Sequence, residues 1–252
     1  MTETPDALRL VALRDLPAVQ PGDDLAALTR AAAAAQGLVL SGGVLVVAQK
    51  IVSKAEGRIV RLADVEPSAQ ARRIAAANDK DPRHVEVVLR ETARVVRHAR
   101  GIWIAETRHG FVCANAGVDL SNAPDADTAV LLPLDPDASA RRLRDDLLAA
   151  GAGPLAVIVS DTFGRPWREG LVDVALGSAG LAPLADWRGR PDLAGRPLEV
   201  TAMALVDQLA AAAGLLMGKD AGRPAVWIEG LWPAGDGSVR QLLRDRSGDL
   251  FR

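Results

Sequence analysis

The stretch Val157-Ile158-Val159-Ser160-Asp161-Thr162-Phe163-Gly164-Arg165-Pro166-Trp167-Arg168-Glu169-Gly170 gathers groups that could do chemistry. Asp161 and the hydroxyls of Ser160 and Thr162 are hard oxygen donors of the kind Mg²⁺ or Mn²⁺ takes, and Arg165 and Arg168 are forked donors of the kind a phosphate takes. Together they suit a metal-bound phosphate. An apolar run of strand length leads into the set, and Gly164 with Pro166 predicts a turn beyond Thr162. A strand end followed by a solvated charged loop is the plainer reading of the same residues, so other segments must decide between the two.

Asp119 and Asn122 form a second candidate oxygen set, in the segment Ala114-Asn115-Ala116-Gly117-Val118-Asp119-Leu120-Ser121-Asn122. They follow strands as Asp161 does, although turn chemistry alone accounts for many runs of Asn, Gly, Asp and Ser. Lys50 and Lys54 follow the apolar run Val44 to Ala48; lysines usually sit in solvent, and the alternative is that Lys54 reaches a phosphate as a point charge. Arg188 and Arg190 could join Arg165 and Arg168 on an anion, or lie in a charged surface loop. Cys113 sits among apolar residues with no base near it in sequence and reads as packing. His84 and His98 lack a carboxylate or second His at metal-ligand spacing and read as structural or surface residues. Gly218-Lys219 ends an apolar helical pattern rather than opening one and no Ser or Thr follows, so it is not a phosphate-binding Walker loop; no Gly-x-Gly-x-x-Gly fingerprint occurs either.

The elements that must position these groups alternate along the chain. Strands are expected at Leu8 to Leu13, Val44 to Ala48, Leu155 to Val159 and Ala225 to Ile228. A strand pair is expected between Arg94 and Asn115, with Trp103 and Ile104 on one member, Phe111 to Cys113 on the other, and Arg108-His109-Gly110 between them. Helices are expected from Leu25 to Gln36 behind an Asp23 or Asp24 cap, from Pro67 to about Asn78, and through Arg90 behind Asp81-Pro82. Others follow at Pro136 to Ala150, closed by Gly151, and at Thr201 to Met217, with Asp207 on the polar side. A short helix capped by Ser238 and a charged end complete the chain. Helices and strands mixed in this way predict an α+β or mixed α/β fold, with two lobes plausible and no internal repeat.

At 252 residues with 49% hydrophobic side chains the chain can bury a substantial core. With no Tyr and 3% aromatics, that core is aliphatic and offers no stacking platform for single-stranded nucleic acid. A net charge of -2 provides no basic field for DNA or an anionic membrane, so neither is an expected partner. One cysteine excludes an internal disulfide and fits a reducing cytoplasm. Met1 to Arg9 carries acidic residues and Pro5 and reads as neither signal peptide nor membrane anchor.

Taken in order, several long motifs resemble the coenzyme F420-0:L-glutamate ligase family, the gamma-glutamyl ligases. The resemblance runs from Leu16-Pro17 and Gly22-Asp23-Asp24-Leu25 through Ser53-Lys54-Ala55-Glu56-Gly57-Arg58, the Asn115 to Asn122 segment and Leu132-Pro133-Leu134-Asp135-Pro136-Asp137. It continues through the Val157 to Gly170 stretch, Asp186-Trp187-Arg188-Gly189-Arg190, Gly195-Arg196, Met217-Gly218-Lys219 and Pro224-Ala225-Val226, covering most of the chain.

That resemblance implies a GTP-dependent ligase. It would phosphorylate the terminal carboxylate of F420-0 and let the amine of L-glutamate displace phosphate, leaving an amide, GDP and phosphate. Carried onto this sequence, Asp119 and Asp161 would ligate one divalent ion, Mg²⁺ or Mn²⁺, and Thr162 would support a second; K⁺ would also take part. Asp119, Asp161, Arg165 and Arg168 would carry the chemistry. Leu16, Pro17, Gln49, Lys50, Lys54, Asn122, Gly218, Lys219 and Gly222 would contact the nucleotide. The family resemblance further implies an intertwined homodimer. Gln49-Lys50 departs from the small hydroxyl residues common there, and Lys219 stands where some members carry an acidic residue. Some bacterial members add a nitroreductase-like domain; ending at Arg252, this chain is expected to be a single ligase module needing no flavin. The residue inventory leaves two further readings open: a metal- and nucleotide-dependent amide ligase or phosphotransferase acting on another acid, and a non-catalytic deazaflavin-binding subunit.

Overall fold

The computed structural model describes residues 5–99, 101–123, 125–231 and 235–249. Parts of the acidic N-terminal segment (1–4) and of the charged C-terminal end (250–252) lie outside them. Strand β1 (Arg9–Ala12) leads through Leu16 and Pro17 to helix α1 (Leu25–Ala35), whose Asp24 side chain caps the Ala27 N–H at 2.9 Å. Then come β2 (Gly43–Ala48), the short helix α2 (Gln49–Ala55) and β3 (Ile59–Arg61). Helix α3 (Ala69–Asn78) starts behind Ser68 rather than at Pro67, because the Ser68 hydroxyl accepts from the Ala71 N–H. Helix α4 (Pro82–Glu91) has the expected Asp81 cap and first-turn proline.

Between Thr92 and Ala114 there are three strands rather than two: β4 (Thr92–Ala99), β5 (Ile102–Thr107) and β6 (Val112–Ala114). β4 alternates half-buried and exposed residues and is rich in Arg and His, so its apolar signal is weak. After β7 (Thr128–Val130) comes α5 (Pro136–Ala149), with Asp135 accepting from the Ala138 N–H.

A larger departure follows. β8 (Leu155–Arg165) does not end at Ser160 but runs through the whole oxygen-rich stretch, and the chain reverses only at Pro166-Trp167 into β9 (Arg168–Ala179). Cross-strand pairing over nine residue positions, from Val157 with Ala179 to Arg165 with Arg168, overrides the breaker signal of Gly164, while Pro166 does lie in the turn. β10 (Leu184–Asp186) and β11 (Ala202–Ala204) form a small ladder. Because Ala202 to Ala204 are extended, α6 (Leu205–Met217) starts behind Ala204, and Thr201 does not cap it. Asp207 turns inward instead of lying on a polar face: its Oδ1 accepts from the Ala175 N–H at 2.9 Å, and burial raises its pKa. β12 (Ala225–Glu229) closes the main sheet, and Ser238 caps the short helical turn Val239–Leu242 as expected.

The main sheet has the order β1-β12-β2-β8-β9, with β2 and β8 parallel and the other neighbours antiparallel. Its central strands are apolar at nearly every position because both faces are covered. Leu45, Val47, Val157, Val159 and Trp227 face one way, into a core with α1, α2 and α5. Val44, Val46, Ile158, Val226 and Ile228 face the other, into a core with α6. A separate cluster of Leu62, Val65, Val87, Val88, Trp103 and Ala105 packs α4 against the β5 region. The fold is mixed α/β, as the interleaved pattern predicted.

Candidate functional site

β2 runs parallel to β8 and ends with Ala48 opposite Ser160, midway along β8. Ligands in sheets of this kind lie beyond the carboxyl ends of parallel strands. Here β2 passes directly into α2, so Lys50 and Lys54 are delivered one turn apart at that end, while β8 continues and displays Asp161 and Thr162 there. The segment before β12 arrives at the same place, tied by the Ala48 N–H to the Pro224 carbonyl at 2.8 Å.

The loop carrying Asp119 is shaped by its backbone. Asn115, Ala116 and Gly117 all have positive φ, at 51°, 52° and 73°. Three successive left-handed residues are unusual and two of them are not glycine; such conformations persist where the surroundings over-determine them. At Gly117 a Cβ would lie 2.7 Å from the Leu132 side chain. The chain emerging from this turn exchanges backbone hydrogen bonds between Asp119 and Val130, at 2.8 and 3.0 Å.

Asp119 pairs with Lys50 at 2.7 Å. The Lys50 ammonium also donates to the Ser121 carbonyl and hydroxyl at 2.9 and 2.8 Å, and the Ser121 N–H donates to Asp119 at 2.7 Å. Burial by itself would raise the Asp119 pKa, but the Lys50 and Ser121 hydrogen bonds outweigh it and hold the carboxyl below its ordinary value. Asp161 goes the other way. Burial pushes it up to about 6, aided by the negative charge of Asp119, while the Thr162 N–H and the Lys219 and Lys50 ammonium groups pull it down. Two carboxylates in electrostatic contact, one short of compensating charge, are what a divalent cation would relieve.

Lys219 completes the ring. Its ammonium donates to the Thr162 hydroxyl, which donates to the carboxylate of Asp173, the residue opposite Thr162 in the β8–β9 ladder. Asn122, with φ of 52°, donates its amide to the Lys219 carbonyl at 3.3 Å and links the two loops. Lys54 is half-buried, its pKa lowered by burial and then by Lys50, and it forms no ion pair among the described residues.

Asp119, Asn122, Lys50, Lys54, Asp161, Thr162 and Lys219 are thus brought together from four separate segments. The other expected residues are placed differently. Gln49 is buried, accepting from the Ser53 hydroxyl at 2.8 Å, with its amide nitrogen unpartnered. Leu16 and Pro17 lie in the extended entry to α1; Leu16 packs against the α1 core and Pro17 is exposed. Gly218 ends α6 and Gly222 lies in the following loop, both with positive φ. Arg165 and Arg168 sit at the exposed hairpin end; at about 3.3 Å per strand residue, Arg165 is roughly 13 Å along the strand from Asp161. Arg188 is paired with Asp186 at 2.6 Å and Arg190 lies over the Trp187 ring. Sequence reading missed Asp173 and Ser121 as partners, and Gly214, where a Cβ would come within 2.0 Å of the Asp173 carboxylate. Only the cross-strand register could have revealed Asp173.

Among the described residues no group of three or more His, Cys, Asp or Glu is arranged to hold a metal unaided. The donor set nonetheless fits one hard divalent ion: Asp119 and Asp161 would hold it, with phosphate oxygens and water completing the shell, as is usual for Mg²⁺. No described helix is long and apolar enough to cross a membrane.

A sequence model of the F420-0:Gamma-glutamyl ligase family matches residues 14–230. The chain is 48% identical over 251 residues to the coenzyme F420:L-glutamate ligase of Methanothermobacter thermautotrophicus, covering 97% of this chain and 99% of that one. It is 48% identical over 240 residues to the coenzyme F420:L-glutamate ligase of Methanopyrus kandleri, covering 93% of each. The enzyme of the same name from Archaeoglobus fulgidus is 42% identical over 238 residues, covering 94% of this chain and 93% of the relative. Matched over nearly its whole length, this chain belongs to the F420-0:gamma-glutamyl ligase family and is a ligase that forms a carbon–nitrogen bond.

Proposed function

We propose that the protein adds L-glutamate to coenzyme F420-0 at the expense of GTP, through an acyl phosphate. In this reading a carboxylate oxygen of F420-0 attacks the γ-phosphorus of GTP and GDP leaves. The amine of L-glutamate then attacks the acyl carbon, phosphate departs with the C–O bond electrons, and the amine gives up a proton to leave an amide joining F420-0 to glutamate. The observation that carries the reading is the meeting of Asp119 and Asp161 with Lys50, Lys54 and Lys219 where β2 ends beside the middle of β8.

All three substrates are anionic. Two unit charges about 4 Å apart repel by roughly 4 kcal/mol at an effective dielectric of about 20, so cations must be in place before they meet. Lys50 and Lys54 face the phosphates from α2, and the Lys50–Asp119 pair is the contact that exchanges when a phosphate arrives. Asn122 and the Gly218 to Gly222 loop frame the nucleotide. A divalent ion, Mg²⁺ or Mn²⁺, held by Asp119 and Asp161 would neutralise charge building on the transferred phosphoryl group. K⁺ as a further ion, cytoplasmic operation as a single-module enzyme and assembly as a homodimer belong to the same reading.

The test is mass spectrometry of F420-0 incubated with the protein, L-glutamate, GTP and Mn²⁺, beside reactions lacking GTP or metal. A glutamyl mass gain that needs both is the expected result. GDP release without a mass gain would move the substrate to another acid. In the same assay Asp161→Asn lowers turnover by several kcal/mol of barrier, roughly a thousandfold. Unchanged turnover would remove Asp161 from the chemistry.

A further inference from the structure

The Thr162 hydroxyl has one hydrogen to give and gives it to Asp173; it receives one from Lys219. Asp173 is fixed behind it by the β8–β9 register and by close contact with Gly214. Lys219 is fixed in turn through its carbonyl, which accepts from Asn122. Its ammonium also acts on Asp161. A cation therefore already stands on the Thr162 hydroxyl, within electrostatic reach of Asp161.

We propose that Lys219 takes the place of a second divalent ion, so that this protein works with one exchangeable divalent cation and one built-in ammonium. The inference rests on the metal and phosphate reading of the site. It departs from the expectation that Thr162 supports a second metal. A divalent ion drawing on the Thr162 oxygen would have to displace the ammonium or lie against it, and like charges at that spacing repel. Asp161 differs from Thr162 in being short of compensating charge, so the first position remains open to a cation. The ammonium supplies positive charge and, beyond the hydrogen given to Thr162, two further donors toward a phosphate without needing metal from solution.

The experiment counts Mn²⁺ bound per chain by electron paramagnetic resonance, titrating the protein with Mn²⁺ in saturating GDP against a protein-free Mn²⁺–GDP control. The wild type is expected to bind one. Lys219→Glu, which exchanges the ammonium for a carboxylate, is expected to bind two. If that variant does not fold, Lys219→Gln gives the same comparison without a new charge, with a second and weaker Mn²⁺ expected. Two Mn²⁺ on the wild type would overturn the inference and leave the ligase reading standing. No bound Mn²⁺ at all would overturn both, and one Mn²⁺ on folded wild type and variants alike would show that Lys219 is not what limits the count.

Discussion

Single side chains near the site differ in how far the fold has moved their chemistry. The Cys113 thiol is pushed up to about 12, first by burial and then by the charge of Asp161. At pH 8 its thiolate fraction is therefore about 10⁻⁴, and alkylation by iodoacetamide should be roughly a thousandfold slower than for a free thiol, becoming fast only on unfolding. Labelling of the native protein at the rate of a free cysteine would refute this. His84 is shifted the other way: burial lowers its pKa, Lys80 adds to the effect, and Asp81 and Asp119 oppose it. Because the folded pKa lies below the unfolded value, the neutral form is the one the fold favours. Stability is complete above about pH 6.5 and declines as pH falls through that value toward the folded pKa. His84→Gln should accordingly lose less Tm than the wild type between about pH 8 and about pH 5.5, measured by thermal circular dichroism. Equal losses would mean that His84 is not a source of the acid sensitivity. Neither behaviour could be read from the sequence, where Cys113 and His84 differ little from any apolar-flanked Cys or helical His.

At the scale of elements, the β8–β9 hairpin and α5 are held at a distance that only glycine permits. A Cβ on Gly177 would lie 2.1 Å from the Pro136 carbonyl, at the start of α5. Beside it the buried Asp137 accepts from the Ser178 N–H at 2.9 Å and the Val239 N–H at 3.2 Å, binding helix, strand and C-terminal segment together. Gly177→Ala must push α5 outward and should cost roughly 3 kcal/mol, a fall in Tm of about 6 to 12 °C. Gly57→Ala meets no atom within 4 Å and bears only the cost of its φ of +69°, about 1 kcal/mol. A Gly177 variant no less stable than the Gly57 variant would show that the helix can retreat freely. The helix starts at Asp24, Asp81 and Asp135 were legible because a cap is a local event, settled by one side chain and an N–H two or three residues on. The true extent of β8 was not, because the force that keeps it extended comes from β9.

Across the molecule, protection is unevenly distributed. β2, β8 and β12 bury apolar side chains on both faces, whereas β4 is mostly exposed and, among the described residues, has only β5 as a strand partner. Hydrogen exchange followed by mass spectrometry should find the amides of β2 and β12 slowest and those of β4 among the first strand amides to exchange. Protection of β4 equal to that of β12 would contradict this ordering. The site sits where the slow sheet meets the Asp119 loop and the Lys219 loop, so the carboxylate on β8 is rigidly presented while the groups that close over a phosphate come from irregular chain.

The sequence by itself determined the mixed class, the starts of α1, α4 and α5, the buried central strands and the family, because each depends on local chemistry or on motifs that survive as contiguous strings. It also marked Asp119, Asp161, Lys50, Lys54 and Lys219 as groups worth watching. Only the tertiary structure decided that these five meet, that Asp173 stands behind Thr162, and that Arg165 and Arg168 lie at a hairpin end away from Asp161. Convergence of this kind depends on the parallel register of β2 with β8 and on a ladder pairing residue 162 with residue 173. Register is a relation between distant segments, set by which faces are buried, and no stretch of sequence contains it alone.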